Sequence, residues 1–196
     1  MVKLSQFQNS WYHPGRSRLL QALWFFVGLP LLRCAVVPSS GLRVRLLRWF
    51  GARVGTGAVI KPGVRIKYPW LFQMGDNSWL GEDCWIDNLA RVELGHDVCV
   101  SQGAYLCTGN HNWTDPSFGL IVEPIRLEDG AWAGARSVIC PGVTIGSCGI
   151  LSAGSVAVRD VPPYEIHGGN PASFLRARRI GERESSAVGV NMMTST

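Results

Sequence analysis

Four histidines and six cysteines are the side chains of this 196-residue chain best suited to chemistry at neutral pH. His111 is set apart by its place. It closes Leu106-Cys107-Thr108-Gly109-Asn110-His111, where a regular apolar pattern gives way to an irregular excursion that runs to Arg126. Excursions from a rigid scaffold are where function is usually carried. Imidazole is the natural proton acceptor near neutrality, with an unperturbed pKa of about 6.5, so the chemistry suggested is general-base catalysis. The bland alternative is a turn histidine. Zinc chemistry needs three converging imidazoles, and His13, His96, His111 and His167 are not spaced as one metal shell. Cys84, Cys99, Cys107, Cys140 and Cys148 fall inside the regular pattern without a Cys-x-x-Cys pair. They read as reduced packing thiols in a reducing cytoplasm.

The pattern that positions His111 is a six-residue beat. From Leu127 it runs through Ala133, Ile139, Ile145, Leu151 and Ala157, with Ala131, Ser137, Val143, Gly149, Ser155 and Val161 in the fifth place of each unit. It extends back through Val54, Ile60 and Ile66, through Met74, Leu80 and Ile86, and through Leu94, Val100 and Leu106. Breaks fall around Pro69-Trp70, at Val92-Glu93 and across Gly109 to Arg126. Hexapeptide self-similarity is the signature of a parallel β-helix, each unit laying down one short strand and one corner. Glycine fills the second place at Gly55, Gly75, Gly81, Gly95, Gly134 and Gly146, and the fourth at Gly57, Gly63, Gly103, Gly130, Gly142 and Gly154. Corners need a positive φ or close backbone approach, whereas a helix would lose roughly 1 kcal/mol at each glycine relative to alanine.

Hydrophobic content of 46% with 17% charged residues fits a globular chain. The net charge of +5 is built mainly from arginines, grouped at Arg43, Arg45 and Arg48 and at Arg176, Arg178 and Arg179. No nucleic-acid-binding motif or aromatic-basic interleaving accompanies them. A phosphate-bearing cosubstrate or an anionic membrane surface explains them better than nucleic acid, and any single arginine is also at home on a solvated face.

The first fifty residues lack the beat. The apolar run from Leu23 to Leu32 is short for a bilayer span, which needs about 20 residues, and no small-residue cleavage site marks a signal peptide. Ser40 is placed to cap a second helix closing at Gly51, with Leu42, Leu46, Leu47 and Phe50 against Arg43, Arg45 and Arg48. Two compatible readings stand: a cap over the open first coil, and a basic amphipathic element on an anionic membrane. The division expected is 1–50 an N-terminal helical cap with possible membrane association, 51–161 the β-helix, 162–180 a C-terminal extension and 181–196 a disordered tail.

Asp129-Gly130-Ala131-Trp132-Ala133-Gly134-Ala135, Pro141-Gly142-Val143-Thr144-Ile145-Gly146, Ala153-Gly154-Ser155-Val156 and the exit through Gly168-Gly169-Asn170-Pro171-Ala172 resemble hexapeptide acyltransferases. Ile66-Lys67-Tyr68-Pro69-Trp70, Ile86-Asp87-Asn88-Leu89, Ser101-Gln102-Gly103-Ala104-Tyr105-Leu106 and Thr108-Gly109-Asn110-His111 resemble, more narrowly, the colanic acid biosynthesis acetyltransferase family. The resemblance spans Leu42 to Arg179. It implies an all-β fold, a left-handed parallel β-helix of hexapeptide repeats closing one triangular coil every three units, beneath the N-terminal helical cap. It also implies direct transfer of an acetyl group from acetyl-CoA, without a metal, to a sugar hydroxyl in exopolysaccharide or surface polysaccharide biosynthesis.

In that resemblance His111 matches the catalytic base. Gly134, Ala135 and Ala153 match small positions bordering the pantetheine arm, and Trp132 matches an aromatic beside it, with an outward interface tryptophan as the other reading. Arg159 and Arg176 match basic positions near the nucleotide phosphates, although Arg159 replaces the commoner lysine and Val158 the commoner threonine. Asn88 matches a residue near the acceptor, with a corner asparagine at positive φ as its alternative. The stretch from Asn112 to Glu123, with Trp113, Asp115 and Phe118, is expected either to cover the acceptor or to dock on a neighbouring subunit. The implied partners are two further copies in a homotrimer and a glycan or lipid-linked sugar acceptor. The implied location is cytoplasmic, with possible peripheral contact at the inner membrane face. Other functions the scaffold would allow are acetylation of a free sugar or xenobiotic, a non-enzymatic assembly role, and a zinc carbonic anhydrase, which the histidine spacing disfavours.

Overall fold

The computed structural model describes residues 1–37 and 39–181; most of the tail expected over 181–196 lies outside the described residues. The chain winds into a parallel β-solenoid of three flat faces, five complete coils and a partial sixth, preceded by a short helical segment. Face A holds β1 (Arg53–Val54), β4 (Phe72–Met74), β7 (Val92–Leu94), β12 (Ile125–Leu127) and β15 (Thr144–Ile145). Face B stacks β2 (Val59–Ile60), β5 (Trp79–Leu80), β8 (Cys99–Val100), β13 (Trp132–Ala133) and β16 (Ile150–Leu151). It ends in a hairpin of β18 (Glu165–Gly169) and β19 (Ala172–Ala177). Face C holds β3 (Arg65–Ile66), β6 (Trp85–Asp87), β9 (Tyr105–Cys107), β14 (Val138–Ile139) and β17 (Val156–Ala157).

Each place in the six-residue unit has its own physical reason. First-place residues such as Ile60, Leu80, Leu106 and Ile139 point inward and are fully buried, as are fifth-place Ala131 and Ser137. The second place lies against the backbone of the next coil: a Cβ on Gly134 would stand 2.5 Å from the Ala153 nitrogen. The fourth place turns the corner in the left-handed region, as at Gly142 with φ +81. Where it is not glycine, Asn77, Asp83, Asp97, Arg136 and Cys148 take φ of 55, 58, 54, 55 and 56. Asn and Asp tolerate this conformation through local hydrogen bonds, whereas Arg136 and Cys148 carry a penalty of about 1–2 kcal/mol each.

Early coils repeat every twenty residues, as Val54 to Met74 to Leu94, and the last full one at eighteen, as Leu127 to Ile145. The extra two residues lie at the corner between faces C and A, where Pro69–Leu71 forms a 3-10 turn. Side chains suture these longer corners. Asn88 Oδ1 accepts from Tyr68 N at 3.0 Å and its Nδ2 donates to Tyr68 O at 2.7 Å. One coil later, Thr108 Oγ1 accepts from Ala90 N at 2.9 Å and donates to Asp87 O at 3.1 Å. The third such corner is interrupted by the antiparallel hairpin of β10 (Gly109–His111) and β11 (Leu120–Val122).

The helical segment runs as α1 (Arg18–Leu23), a π turn (Trp24–Gly28) and α2 (Leu29–Arg33), followed by α3 (Ser40–Trp49). Trp24 anchors it: the indole donates to Ile66 O at 3.0 Å and packs 4.9 Å from the Phe50 ring. The cap of α3 is Ser39, whose hydroxyl accepts from Leu42 N at 3.3 Å. Ser40, expected in that role, instead ties the helix to β2, accepting from Ile60 N at 2.6 Å and donating to Ala58 O at 3.4 Å. The arginines of α3 also differ from a solvated amphipathic face. Arg43 is buried and donates to the carbonyls of Leu32, Cys34 and Val37, and Arg48 donates to those of Val54 and Gly55. Unsatisfied carbonyls at an interior chain crossing outweigh guanidinium hydration here.

Candidate active site

His111 ends β10 opposite Leu120, so the hairpin lifts it off the corner between faces C and A. The tip returns through Asn112 N to Gly119 O at 2.8 Å and Phe118 N to Asp115 O at 2.9 Å. Asp115 Oδ1 accepts from Ser117 N at 2.8 Å, and that hydrogen bond holds its carboxyl below the usual range. These turns force Phe118 to φ +53, an outlier for a bulky residue and the kind of strain that gathers at functional sites.

The strained turn aims two groups of Phe118 at His111. Its carbonyl lies 2.9 Å from His111 Nδ1, and its ring stacks on the imidazole at 4.4 Å and 6°. A carbonyl only accepts, so Nδ1 carries the proton and Nε2 keeps its lone pair. The imidazole is therefore oriented with Nε2 as its acceptor nitrogen. Phe7 closes a second side, edge-on at 5.5 Å.

Phe7 belongs to an N-terminal arm that follows this edge of the solenoid. Lys3 N donates to Pro116 O at 2.9 Å, Tyr12 donates to Leu89 O at 2.7 Å, and the Trp70 indole donates to Pro14 O. Below His111, Asp87 meets Lys67 at 2.9 Å and accepts from the Tyr105 hydroxyl at 3.3 Å. Burial first, then the neighbouring Cys107 and Asp87, pushes the Tyr105 phenol up, so it stays a proton donor. Phe7 and Tyr12 were not legible as site residues, because nothing periodic links them to a corner a hundred positions later.

Gly134 and Ala135 leave face B at its corner with face C, and Ala153 occupies the same corner one coil on, with Gly154 N donating to Ala135 O at 2.8 Å. These three residues form one strip without large side chains, and a Cβ on Gly154 would meet only open space. Such a strip fits a narrow pantetheine chain. Trp132 flanks it on face B, 44% exposed, its indole donating to Ser101 Oγ at 2.8 Å. Arg159 is exposed beyond β17 and Arg176 is exposed on β19.

The structure does not bring all these residues together in one chain. His111 touches Asn110, Phe118 and Phe7, while the small-residue strip lies along the opposite edge of face C. Asn88 is fully buried with both polar atoms bonded to Tyr68. Its φ is not positive, so it serves the corner as a suture and offers no surface to an acceptor. Of the other histidines, His96 accepts from Asp76 N at 3.0 Å and His167 pairs with Glu165 at 2.8 Å. The described cysteines are all free thiols.

No family model matches the chain. It is 33% identical over 178 residues to the putative colanic acid biosynthesis acetyltransferase WcaF of Escherichia coli strain K12, covering 91% of this chain and 98% of the relative. It is 29% identical over 145 residues to the galactoside O-acetyltransferase of the same strain, covering 72% and 70%. Among solved structures, a hexapeptide-repeat acetyltransferase from Vibrio cholerae superposes with a TM-score of 0.75 at 27% identity, covering 84% of this chain and 95% of that one. An acetyl coenzyme A complex from V. cholerae O1 biovar El Tor matches at 0.74 and 25%, covering 83% and 88%.

Proposed function

The chain belongs to the colanic acid biosynthesis acetyltransferase family and is an acetyltransferase that uses acetyl-CoA, and from that premise we propose that it O-acetylates a sugar of an exopolysaccharide or surface polysaccharide. The observation that carries the mechanism is the bond from His111 Nδ1 to the Phe118 carbonyl, which leaves Nε2 to receive a proton. Nε2 takes the proton of the sugar hydroxyl as the oxygen bonds to the thioester carbonyl carbon. The carbon–sulfur bond then breaks, and the leaving thiolate recovers the proton from the imidazolium. No acyl-enzyme forms, so Cys107, whose thiol lies 3.2 Å from Gly109 O, has packing to do and no acyl group to carry.

The donor lies along Gly134, Ala135 and Ala153, with Trp132 beside the pantetheine arm and Arg159 and Arg176 toward the phosphates. Because that strip and His111 occupy opposite edges of face C, a complete site calls for the His111 edge of one copy to face the strip of another. Three copies around one axis satisfy this for every subunit. The acceptor enters along the edge of Lys67, Asp87 and His111, where Tyr68 and Trp70 stack at 5.2 Å and offer apolar ring faces to a pyranose. The reading places the reaction at the inner face of the cytoplasmic membrane.

The test is thiol release from acetyl-CoA with polysaccharide repeat units, galactosides and small xenobiotic alcohols, paired with mass spectrometry of surface polysaccharide from cells with and without the protein. Loss of an acetyl group from the polysaccharide is the expected result. Intact acetylation together with turnover only on free galactosides would replace the acceptor class with the one named for the 29%-identical relative.

A further inference from the structure

The helical segment Arg18–Arg33 is apolar on two sides. One side, Trp24, Gly28 and Leu32, is buried against the solenoid. The other presents Leu19, Leu23, Phe26 and Leu31 to solvent at helical spacing, with Leu19 79% and Phe26 74% exposed. A helix that is hydrophobic all round belongs in an apolar environment on both sides, and such an exposed stripe marks an interaction surface. Arg16, Arg18 and Arg33, all exposed, bracket it.

Charge decides what covers the stripe. The chain has eleven lysines and arginines before its first acidic residue, Asp76. Two copies meeting through this stripe would set Arg16, Arg18 and Arg33 against the same residues with no carboxylate in the segment to pair with them, Glu82 and Asp83 lying beside Arg33 on the solenoid, and like-charge repulsion opposes that arrangement. An anionic lipid surface offers hydrocarbon to the leucines and phosphates to the arginines at once. The segment is about 24 Å long at 1.5 Å per residue, and no helix among the described residues is long and apolar enough to cross a membrane.

We propose that the outer face of Arg18–Arg33 lies flat on an anionic bilayer, with Leu19, Leu23, Phe26 and Leu31 entering the headgroup–acyl boundary. This moves membrane contact away from α3, whose Arg43 and Arg48 are engaged with backbone carbonyls. It rests on this surface alone, so its failure would leave the acetyl-transfer reading standing.

Co-sedimentation of the full chain with vesicles of phosphatidylcholine, alone or mixed with phosphatidylglycerol, tests the proposal. Binding to the anionic vesicles is expected to be about tenfold or more stronger, to weaken with added salt, and to fall about tenfold further in Leu19→Glu and Leu31→Glu. Turnover of acetyl-CoA and the melting temperature should hold in both variants, since Leu19 and Leu31 lie outside the buried core. Absence of binding, equal binding to neutral vesicles, or concentration-dependent self-association that the same variants abolish would each overturn it.

Discussion

Phe118→Ala separates the two things Phe118 does for His111. The carbonyl that accepts the Nδ1–H hydrogen bond is backbone and survives, whereas the ring stacked at 4.4 Å and 6° is lost. Aromatic pairs of this kind contribute about 0.5–1.5 kcal/mol beyond their buried area. At 1.36 kcal/mol per decade of rate, loss of that restraint lowers kcat by about two- to tenfold. Alanine keeps the left-handed backbone at φ +53 and its strain, which glycine relieves by about 1 kcal/mol. Phe118→Gly should therefore melt about 2–4 °C above Phe118→Ala at the same reduced kcat. Initial rates of thiol release at saturating acetyl-CoA give kcat, and a double-mutant cycle supplies the control. In a His111→Ala background the Phe118 substitution should cost no further rate, because the ring acts only through the imidazole. An unchanged kcat in Phe118→Ala, or equal losses in both backgrounds, would refute the reasoning.

Further outcomes follow from the corners and the core. Gly134→Ala pushes a methyl against the Ala153 nitrogen at 2.5 Å, so thermal stability should fall by about 1–3 kcal/mol, read by calorimetry. Asn88→Ala leaves Tyr68 N–H and C=O unpaired at a buried corner and should destabilise by about 1–3 kcal/mol, while the KM for acceptor in the folded variant stays unchanged; a raised KM alone would restore an acceptor contact. Burial pushes the Cys84 thiol up to about 12, so its neutral form is favoured by folding. That stabilisation is complete below the ordinary thiol value of about 8.5, is lost as pH rises from there through 12, and keeps Cys84 unreactive to a thiol probe until the chain unfolds.

The faces of the solenoid were readable because a single inward residue per six fixes both the strand and its register, and every first-place residue from Val54 to Ala157 is buried. The suture from Asn88 to Tyr68 had a usable signal in the twenty-residue step that also links Met74 to Val54. The roles of Ser39, Arg43 and Phe7 had none. Helix periodicity sends charge outward, yet free carbonyls at Leu32, Cys34 and Val37 draw the Arg43 guanidinium inward. His111 was located by the break in the beat, but its tautomer depends on a carbonyl seven residues later that only the folded hairpin delivers. Gly134, Ala135 and Ala153 stand out only through the family resemblance, and their separation from His111 across face C depends on how the coils stack.

The most direct test of the account is kcat for thiol release by His111→Ala, measured beside its oligomeric state in solution. Removal of a general base is predicted to lower kcat by about 10²–10⁴-fold with the assembly unchanged. Retention of full turnover in the assembled variant would contradict the assignment of His111 as the base.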